Sequence, residues 1–279
     1  MWFNNATSKW ELPLIDAIGN QQKVAWSDEE FGFYGLLNNH LVVIEEGKTY
    51  TLVDLDKGSQ AKIFPADFPD FDTDHPTLFF VSFNSVLTRA IYKNTNIILL
   101  DLSTNTIITL IKDTYDRVPI IAWESSGERV AVVATSASAG KISSWVKPDE
   151  IFIVDQNGQT QQLTHLYENF GLTSTIDSLS WSPDGEKIAF WLYDGHGNNT
   201  LMLTDALTGK TINYCILNVT TDLFPIYLPA PIWSPDGQKL LVESRYAQDK
   251  SNLLVVDLKS HIAFHIAENQ NPVGWMIKP

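Results

Sequence analysis

The chain has 279 residues, of which 44% are hydrophobic and 19% are charged, a composition typical of a globular protein with a sizeable core. Its formal net charge of -14 would repel phosphate backbones and anionic lipid surfaces, which argues against nucleic-acid binding. A single cysteine, Cys215, excludes an internal disulfide framework and a cysteine-rich zinc site. Because Cys215 lies in the apolar stretch TINYCIL, we expect a buried structural thiol.

The N-terminal segment lacks the basic start and long apolar run of a secretory signal, and no stretch approaches the roughly 20 apolar residues of a membrane helix. The sequence therefore predicts a cytoplasmic protein that does not insert into membranes. A periplasmic or extracellular location is the alternative, if a signal segment was removed ahead of Met1.

Taken in chain order, the sequence repeats a unit of short strands separated by turns. Units start near 23, 78, 120, 178 and 230, and the first strand of each contains a large aromatic residue: Trp26, Phe83, Trp123, Trp181 and Trp233. The third strand of each unit ends in an acid, these being Glu45, Asp101, Asp155, Asp205 and Asp257. A polar turn and a fourth strand follow. Trp275 begins one more first strand, over 272–277.

The pentapeptide WSPDG marks the two clearest copies, Trp181 to Gly185 and Trp233 to Gly237. Proline presets the backbone for a tight turn, and Asp-Gly supplies the side-chain acceptor and the permissive backbone that such a turn needs. The tryptophan is large and flat enough to fill the space between neighbouring sheets. We therefore interpret the repeat residues as scaffold. They are Trp26, Trp123, Trp181, Asp184, Gly185, Trp233, Asp236, Gly237 and Trp275.

Four short strands per unit, with little sign of helix, predict a radial array of four-stranded antiparallel blades, which is an all-β propeller. We expect one domain over 1–279 with six blades. The last blade would be composite, because pairing of the closing strand 272–277 with the N-terminal segment 7–16 leaves no open edge. Five blades plus a closing strand is the alternative.

The WSPDG turns at Trp181 and Trp233, each followed by two strands and an acid, resemble those of the WD40-like repeat propellers of the TolB type. The same repeat occurs in the propeller of prolyl-oligopeptidase-like enzymes. The clear copies cover 178–268, and weaker copies extend the resemblance over most of the chain. The resemblance implies a β-propeller that mainly makes protein-protein contacts, on a fold that hosts several unrelated roles.

Strand order predicts where a binding site lies. In an up-and-down sheet, the first and third connections share one end, while the second connection and the link to the next sheet share the other. The pentapeptide turns are first connections, so they lie opposite long connections such as 135–150, 193–199, 218–230 and 244–251. Long loops on a rigid scaffold often bind partners, and Tyr, Trp and Arg are frequent interface residues. The predicted binding residues are Phe71, Tyr115, Asp116, Trp145, Tyr167, Phe224, Tyr227 and Arg245.

Asp70, Asp72 and Asp74 stand at alternate positions, as the first ligands of a calcium loop do. The match ends there, because His75 stands where the loop needs glycine and Val81 where it needs glutamate. We interpret this segment as a solvated acidic linker, with a metal site as the lesser alternative.

The sequence predicts a non-catalytic protein-binding module or scaffold subunit with a protein or peptide partner. It contains no GxSxG, HExxH or cofactor motif, and no cofactor is expected. One alternative is a propeller hydrolase that acts on a glycoside or lactone through paired carboxylates in the central funnel. Another is a sensor or regulatory domain of a larger assembly.

Overall fold

The structure is a computed structural model. It describes residues 2–4, 9–15, 21–28, 32–38, 41–46, 49–54, 60–62, 80–83, 89–93, 97–101, 106–111, 120–135, 149–166, 168, 175–193, 197–219, 228–247, 250–270, 272 and 274–275. Side chains are described only from Arg89 onward. The chain falls into two compact units, unit 1 (Met1–Thr77) and unit 2 (Leu78–Pro279).

Within its described residues, unit 1 contains one three-stranded and one four-stranded antiparallel sheet. Each strand pairs with the next along the chain in its sheet, as short apolar strands joined by tight connections do. The three-stranded sheet comprises β1 (Trp2–Asn4), β2 (Lys9–Ile15) and β3 (Gln21–Asp28). The four-stranded sheet comprises β4 (Gly32–Asn38), β5 (Leu41–Glu46), β6 (Thr49–Asp54) and β7 (Gln60–Lys62).

The first predicted unit, starting near residue 23, needs a correction. Trp26 lies in β3, which pairs with β2 and belongs to the three-stranded sheet. The four-stranded sheet begins instead at Gly32 in β4. The first copy lacks the proline and glycine that would start a tight turn directly after its tryptophan. The predicted start of the unit rested on the aromatic residue alone and was therefore wrong.

The predicted closure pairs the strand 272–277 with the N-terminal segment 7–16, and this pairing stays a prediction. Strand β2 covers most of the segment 7–16; it pairs with β3 along most of its length and with β1 over residues 9–11. Of the strand predicted over 272–277, Pro272, Gly274 and Trp275 are described and form no strand. A single domain with six blades stays a prediction.

Within its described residues, unit 2 contains four antiparallel sheets of four strands each. The first sheet comprises β8 (Phe80–Phe83), β9 (Arg89–Lys93), β10 (Ile97–Asp101) and β11 (Thr106–Ile111). The second comprises β12 (Ile121–Trp123), β13 (Val130–Thr135), β14 (Asp149–Val154) and β15 (Thr160–Gln162). The third comprises β16 (Thr175–Trp181), β17 (Lys187–Tyr193), β18 (Asn198–Asp205) and β19 (Thr211–Val219). The fourth comprises β20 (Ile232–Trp233), β21 (Lys239–Ala247), β22 (Lys250–Asp257) and β23 (Ile262–Glu268).

The core of unit 2 lies in layers between successive sheets. Phe190 and Trp191 are neighbours in β17, so their side chains point to opposite faces of the third sheet. Phe190 packs in the cluster shared with the second sheet, and Trp191 packs in the cluster shared with the fourth. Both side chains are fully buried. A strand covered on both faces reads as a continuous apolar run, which explains the sequence IAFWL.

Candidate functional site

The pentapeptide turn is held by its own serine and aspartate. Ser182 Oγ donates to Asp184 Oδ1 at 2.6 Å and accepts from Lys187 N at 2.9 Å, while Glu186 N donates to Asp184 Oδ1 at 3.0 Å. Gly185 adopts a φ of 71°, which glycine alone adopts without strain. Burial disfavours the ionised carboxylate, but the hydrogen bonds outweigh it and lower the pKa of Asp184. The carboxylate is thus used within the turn.

The second copy has the same hydrogen bonds. Ser234 Oγ donates to Asp236 Oδ1 at 2.6 Å and accepts from Lys239 N at 2.9 Å, and Gln238 N donates to Asp236 Oδ1 at 3.1 Å. The hydrogen bond from Ser234 is the main cause that lowers the pKa of Asp236. Two turns of identical construction indicate a structural repeat rather than a site of chemistry.

In the copy around Trp123, Glu124 stands at the serine position and pairs with Arg129. Ser126 Oγ stands in for the aspartate and accepts from Glu128 N at 3.1 Å. Arg129 Nε donates to Glu124 Oε2 at 2.9 Å, and Arg129 Nη2 donates to Glu124 Oε1 at 3.0 Å. The same Nη2 also donates to Gly185 O at 2.7 Å, and the guanidinium lies 5.0 Å from the centroid of the Trp181 ring. The hydrogen bond with Glu124 is the main cause that raises the pKa of Arg129. This arginine therefore joins the second sheet to the third.

Indole hydrogen bonds reach back to the first strand of the preceding sheet in unit 2. Each Nε1 donates to a backbone oxygen of the preceding first strand, directly before its aromatic residue. The bonds run from Trp181 to Ala122 O at 2.8 Å, from Trp233 to Ser180 O at 3.2 Å and from Trp275 to Ile232 O at 3.2 Å. Trp123 differs, because its Nε1 is buried and has no hydrogen-bond partner among the residues that the structure describes.

Acids at the ends of third strands stabilise the turn that follows each strand. These turns lie at the same end of the sheets as the pentapeptide turns. Asp205 Oδ1 accepts from Thr208 N at 2.8 Å, and Asp257 Oδ1 accepts from Ser260 N at 2.8 Å. Lys239 Nζ also contacts Asp257 Oδ2 at 3.0 Å. These backbone hydrogen bonds are the main causes that lower the pKa of Asp205 and that of Asp257. We call this end, with the turns after Trp181 and Trp233, the pentapeptide end.

The opposite end, where second strands end and third strands begin, is the long-loop end. All the predicted binding residues except Arg245 lie outside the described residues, and so do the metal candidates Asp70, Asp72 and Asp74. Among the residues that the structure describes, no three His, Cys, Asp or Glu side chains form a group that could hold a metal ion. The described part of the chain also contains no helix long and apolar enough to cross a membrane.

Arg245 lies in a strand, not in a loop as the connection 244–251 predicted. Strand β21 runs to Ala247 and keeps its pairing with β22, in which Arg245 faces Ser251. The register shifts at a bulge between Arg245 and Ala247, and the pairing continues beyond it. Polar residues whose composition indicated a loop therefore belong to the strand. Arg245 Nε donates to Glu243 Oε1 at 2.8 Å. The side chain of Glu243 is 3% exposed and that of Arg245 is 27% exposed.

The carboxamide of Asn218 fixes β21 at the same place. Asn218 Nδ2 donates to Glu243 O at 2.8 Å, and Arg245 N donates to Asn218 Oδ1. The last register pair of the short first strand β20 reaches only Leu241, so this amide satisfies two backbone groups of β21 beyond it. Asn218 is fully buried. It therefore acts as a substitute for a neighbouring strand.

Buried acids at the long-loop end were missed by the sequence analysis. Glu150 Oε2 accepts from Thr164 Oγ1 at 2.6 Å and from Leu166 N at 2.8 Å. Asp149 Oδ2 accepts from Ile176 N at 2.9 Å, which joins the third strand of one sheet to the first strand of the next. The adjacent Asp177 is also buried. Only the buried position distinguishes these acids from the exposed ones, and no local pattern indicates it.

The prediction of a buried Cys215 is wrong, because its thiol is exposed. Cys215 has a φ of 56°, and the β18–β19 register shifts beside it, between Thr200 and Met202. Its N–H donates to Asn213 Oδ1 at 2.6 Å. The bulge interrupts the alternation of buried and exposed side chains that an apolar strand would otherwise keep.

Comparison with known proteins rests on structure, because no family model and no curated protein matches the sequence. TolB from Acinetobacter baumannii is 18% identical, with a TM-score of 0.55 over 91% of this chain and 58% of its own. A TolB-type protein from Agrobacterium tumefaciens is 14% identical, with a TM-score of 0.52 over 88% of this chain and 84% of its own. Dipeptidyl peptidase 4 from Porphyromonas gingivalis is 9% identical, with a TM-score of 0.58 over 90% of this chain and 42% of its own.

The fold is a β-propeller. At these identities the likeness shows the fold alone, and it confirms the resemblance to TolB-type propellers at that level. The prediction of an all-β chain built from four-stranded antiparallel sheets is also confirmed. The chain spans 58% of the first TolB structure and 42% of the peptidase, so it is similar to only part of each.

Proposed function

We propose that the chain is a non-catalytic protein-binding module or scaffold subunit that binds a protein or peptide through its long-loop end. The observation that carries this proposal is that the repeat carboxylates at the pentapeptide end already accept hydrogen bonds inside their turns. Asp184 and Asp236 each accept hydrogen bonds within their own turns, so their role is structural. Residues that repeat nowhere else in the chain, such as Arg245, lie at the other end.

The charge of the chain indicates the kind of partner. A net charge of -14 raises the encounter rate with a partner that is basic overall and disfavours an acidic one. The resemblance to TolB-type propellers, which implies protein-protein contact, supports the same choice. We therefore expect a neutral or basic protein or peptide segment.

A double variant tests which end binds. Trp145→Ala with Tyr227→Ala should abolish capture of a purified partner while the variant still unfolds cooperatively. Leu207→Ala is the matched control, because Leu207 is 86% exposed in a turn at the pentapeptide end. Partner capture that survives in the folded double variant, or that is lost in Leu207→Ala, would contradict binding through the long-loop end.

A hydrolase acting on a glycoside or lactone is the second candidate, and one observation favours it. The hydrogen bond from Ile176 N to Asp149 brings two buried acids, Asp149 and Asp177, to neighbouring positions on adjacent sheets. Paired carboxylates are the machinery of glycoside hydrolysis. Turnover of chromogenic glycosides or lactones that disappears in both Asp149→Asn and Asp177→Asn would favour catalysis. No turnover with the folded wild-type protein would leave the binding module as the better account.

A further inference from the structure

Two glutamate–arginine pairs of unit 2 differ in how much of each arginine is used. Arg129 makes two hydrogen bonds to Glu124 and a third to a backbone oxygen, and it lies over an indole ring. Among the described residues, the side chain of Arg245 makes a single hydrogen bond, from Nε to Glu243 Oε1 at 2.8 Å. Glu243 Oε2 is buried and has no hydrogen-bond partner among the described residues. The guanidinium of Arg129 therefore bonds both Glu124 and the next sheet, whereas the Nη groups of Arg245 bond none of the described residues.

The backbone beneath the second pair is fixed. Asn218 bonds Glu243 O and Arg245 N, and Ser244 Oγ donates to Leu217 O at 2.8 Å. Three consecutive residues of β21 are thus held against β19. Glu243 and Arg245 are two positions apart on the strand, so their side chains leave the same face. The strand therefore presents both side chains from a rigid base.

Exposure assigns different roles to the two side chains. Glu243 is 3% exposed and holds Arg245 by Nε, while the side chain of Arg245 is 27% exposed. Its Nη1 and Nη2 groups make no hydrogen bond within the described part of the chain. These groups form a planar fork of donors that matches the two oxygens of a carboxylate. A buried acid that orients such a fork reduces the entropy lost when a ligand binds.

We infer that Arg245 binds a carboxylate of the partner and that Glu243 is its positioning residue. This inference rests on the proposed function, whose binding end it shares. The net charge of -14 would repel an acidic segment, so the carboxylate stands in a segment that is otherwise neutral or basic. It belongs either to a chain terminus or to an Asp or Glu side chain.

Small probes separate the two sources of a carboxylate. The Arg245 Nε–H resonance would be followed by NMR during titration with N-acetylglycine and, in parallel, with its amide. N-acetylglutamate amide and N-acetylglutamine amide form the second pair, which tests a side-chain carboxylate. We expect saturable shifts with an acid probe at millimolar concentration and none with the matched amide. Equal shifts with acid and amide, or no saturable shift with either acid, would overturn the inference.

Variants assign the effect to the guanidinium fork. Arg245→Lys keeps the charge but loses the fork, and we expect it to weaken acid-probe binding about tenfold or more. Lys210→Gln is the control, since Lys210 is exposed at the pentapeptide end and its loss changes the net charge alone. In Glu243→Gln, we expect weaker binding with the same acid-over-amide preference. Unchanged binding in Arg245→Lys would overturn the inference.

Partner binding distinguishes this inference from the proposed function. Once a partner is identified, its capture should be lost in Trp145→Ala with Tyr227→Ala and should fall in Arg245→Lys. Capture that is lost in the first variant but unchanged in Arg245→Lys would remove the inference and leave the proposed function in place. Capture that is unchanged in the double variant would remove the proposed function itself.

Discussion

Asn199 and Asn218 lie opposite each other in the β18–β19 ladder, yet only the carboxamide of Asn218 has partners within the described part of the chain. Asn218 bonds the backbone at Glu243 and Arg245, whereas both side-chain polar atoms of Asn199 are buried and bond none of the described residues. Both residues are almost completely buried. Two identical residues on one face of one ladder therefore contribute to stability in different ways.

The two asparagines form a matched pair for substitution by leucine. Asn218→Leu leaves Glu243 O and Arg245 N unsatisfied, and we expect a loss of about 2 kcal/mol or more in the free energy of unfolding. Asn199→Leu removes an amide that makes no hydrogen bond to a described residue, so it should be neutral or stabilising. Urea unfolding measures both. Equal destabilisation by the two substitutions would contradict the difference in hydrogen bonding between the two carboxamides.

Two tryptophans test the indole hydrogen bonds in the same way. Trp181→Phe loses the bond to Ala122 O and part of the contact with Arg129, while Trp123→Phe has no indole bond to lose. Both substitutions remove similar volume. We therefore expect Trp181→Phe to cost about 1 kcal/mol more than Trp123→Phe in chemical denaturation. A larger loss in Trp123→Phe would contradict the assignment.

Gly185 and Gly237 separate backbone strain from crowding. Their φ values are 71° and 67°, so an alanine pays about 1 kcal/mol of strain at either position. A Cβ at Gly185 would also overlap Glu124 Oε1, whereas at Gly237 the nearest atom is Asp184 Oδ2 at 3.6 Å. Gly185→Ala should therefore lower the melting temperature more than Gly237→Ala. Equal losses would indicate that the Glu124–Arg129 pair moves aside freely, and a larger loss in Gly237→Ala would contradict the crowding at Gly185.

Asp257 makes stability depend on pH in acid. Its pKa is lower in the folded chain than in the unfolded chain, chiefly because Ser260 N–H donates to the carboxylate. This stabilisation is fully present above the unfolded pKa of about 3.9 and is lost as pH falls toward the folded pKa. The melting temperature of Asp257→Asn should thus fall below that of wild type at neutral pH, with a difference that shrinks in acid.

Leu207→Ala is the control for that measurement, because the side chain does not titrate and is exposed in another third connection. Its difference from wild type should stay the same from neutral pH into acid. If the difference in melting temperature between Asp257→Asn and wild type is also independent of pH, the charge of the carboxylate does not contribute to stability.

Cys215 should react with a thiol reagent in the folded protein. Because the thiol is exposed, a maleimide should label the folded protein at one site without denaturant. Cys215→Ser should abolish the labelling and leave the unfolding curve nearly unchanged. Labelling that requires denaturant would instead support the buried thiol that the apolar stretch around it indicated.

The sequence predicts the parts of the fold that local chemistry determines. The turns after Trp181 and Trp233 follow from proline, aspartate and glycine in fixed order, and the first strands of unit 2 begin close to the predicted starts. Trp26 shows the limit of that reasoning. An aromatic residue in a strand, without the turn chemistry after it, does not determine which sheet the strand joins.

The candidate site could not be predicted in the same way, because its contacts are distant in sequence. Asn218 meets Glu243 and Arg245 from the outer strand of another sheet, and no spacing rule relates the three residues. Arg245 was chosen for its residue type and assigned to a loop from polar composition. The pairing of β21 with β22 places it in a strand instead.

The indole bonds also imply an order of unfolding. The bonds of Trp181 and Trp233 each join only neighbouring sheets, so unit 2 resembles a one-dimensional array whose weakest junction opens first. The unpartnered Nε1 of Trp123 identifies the junction between the first and second sheets as one that lacks this bond. We expect amide exchange under mild denaturant to reach β8–β11 before it reaches β16–β19.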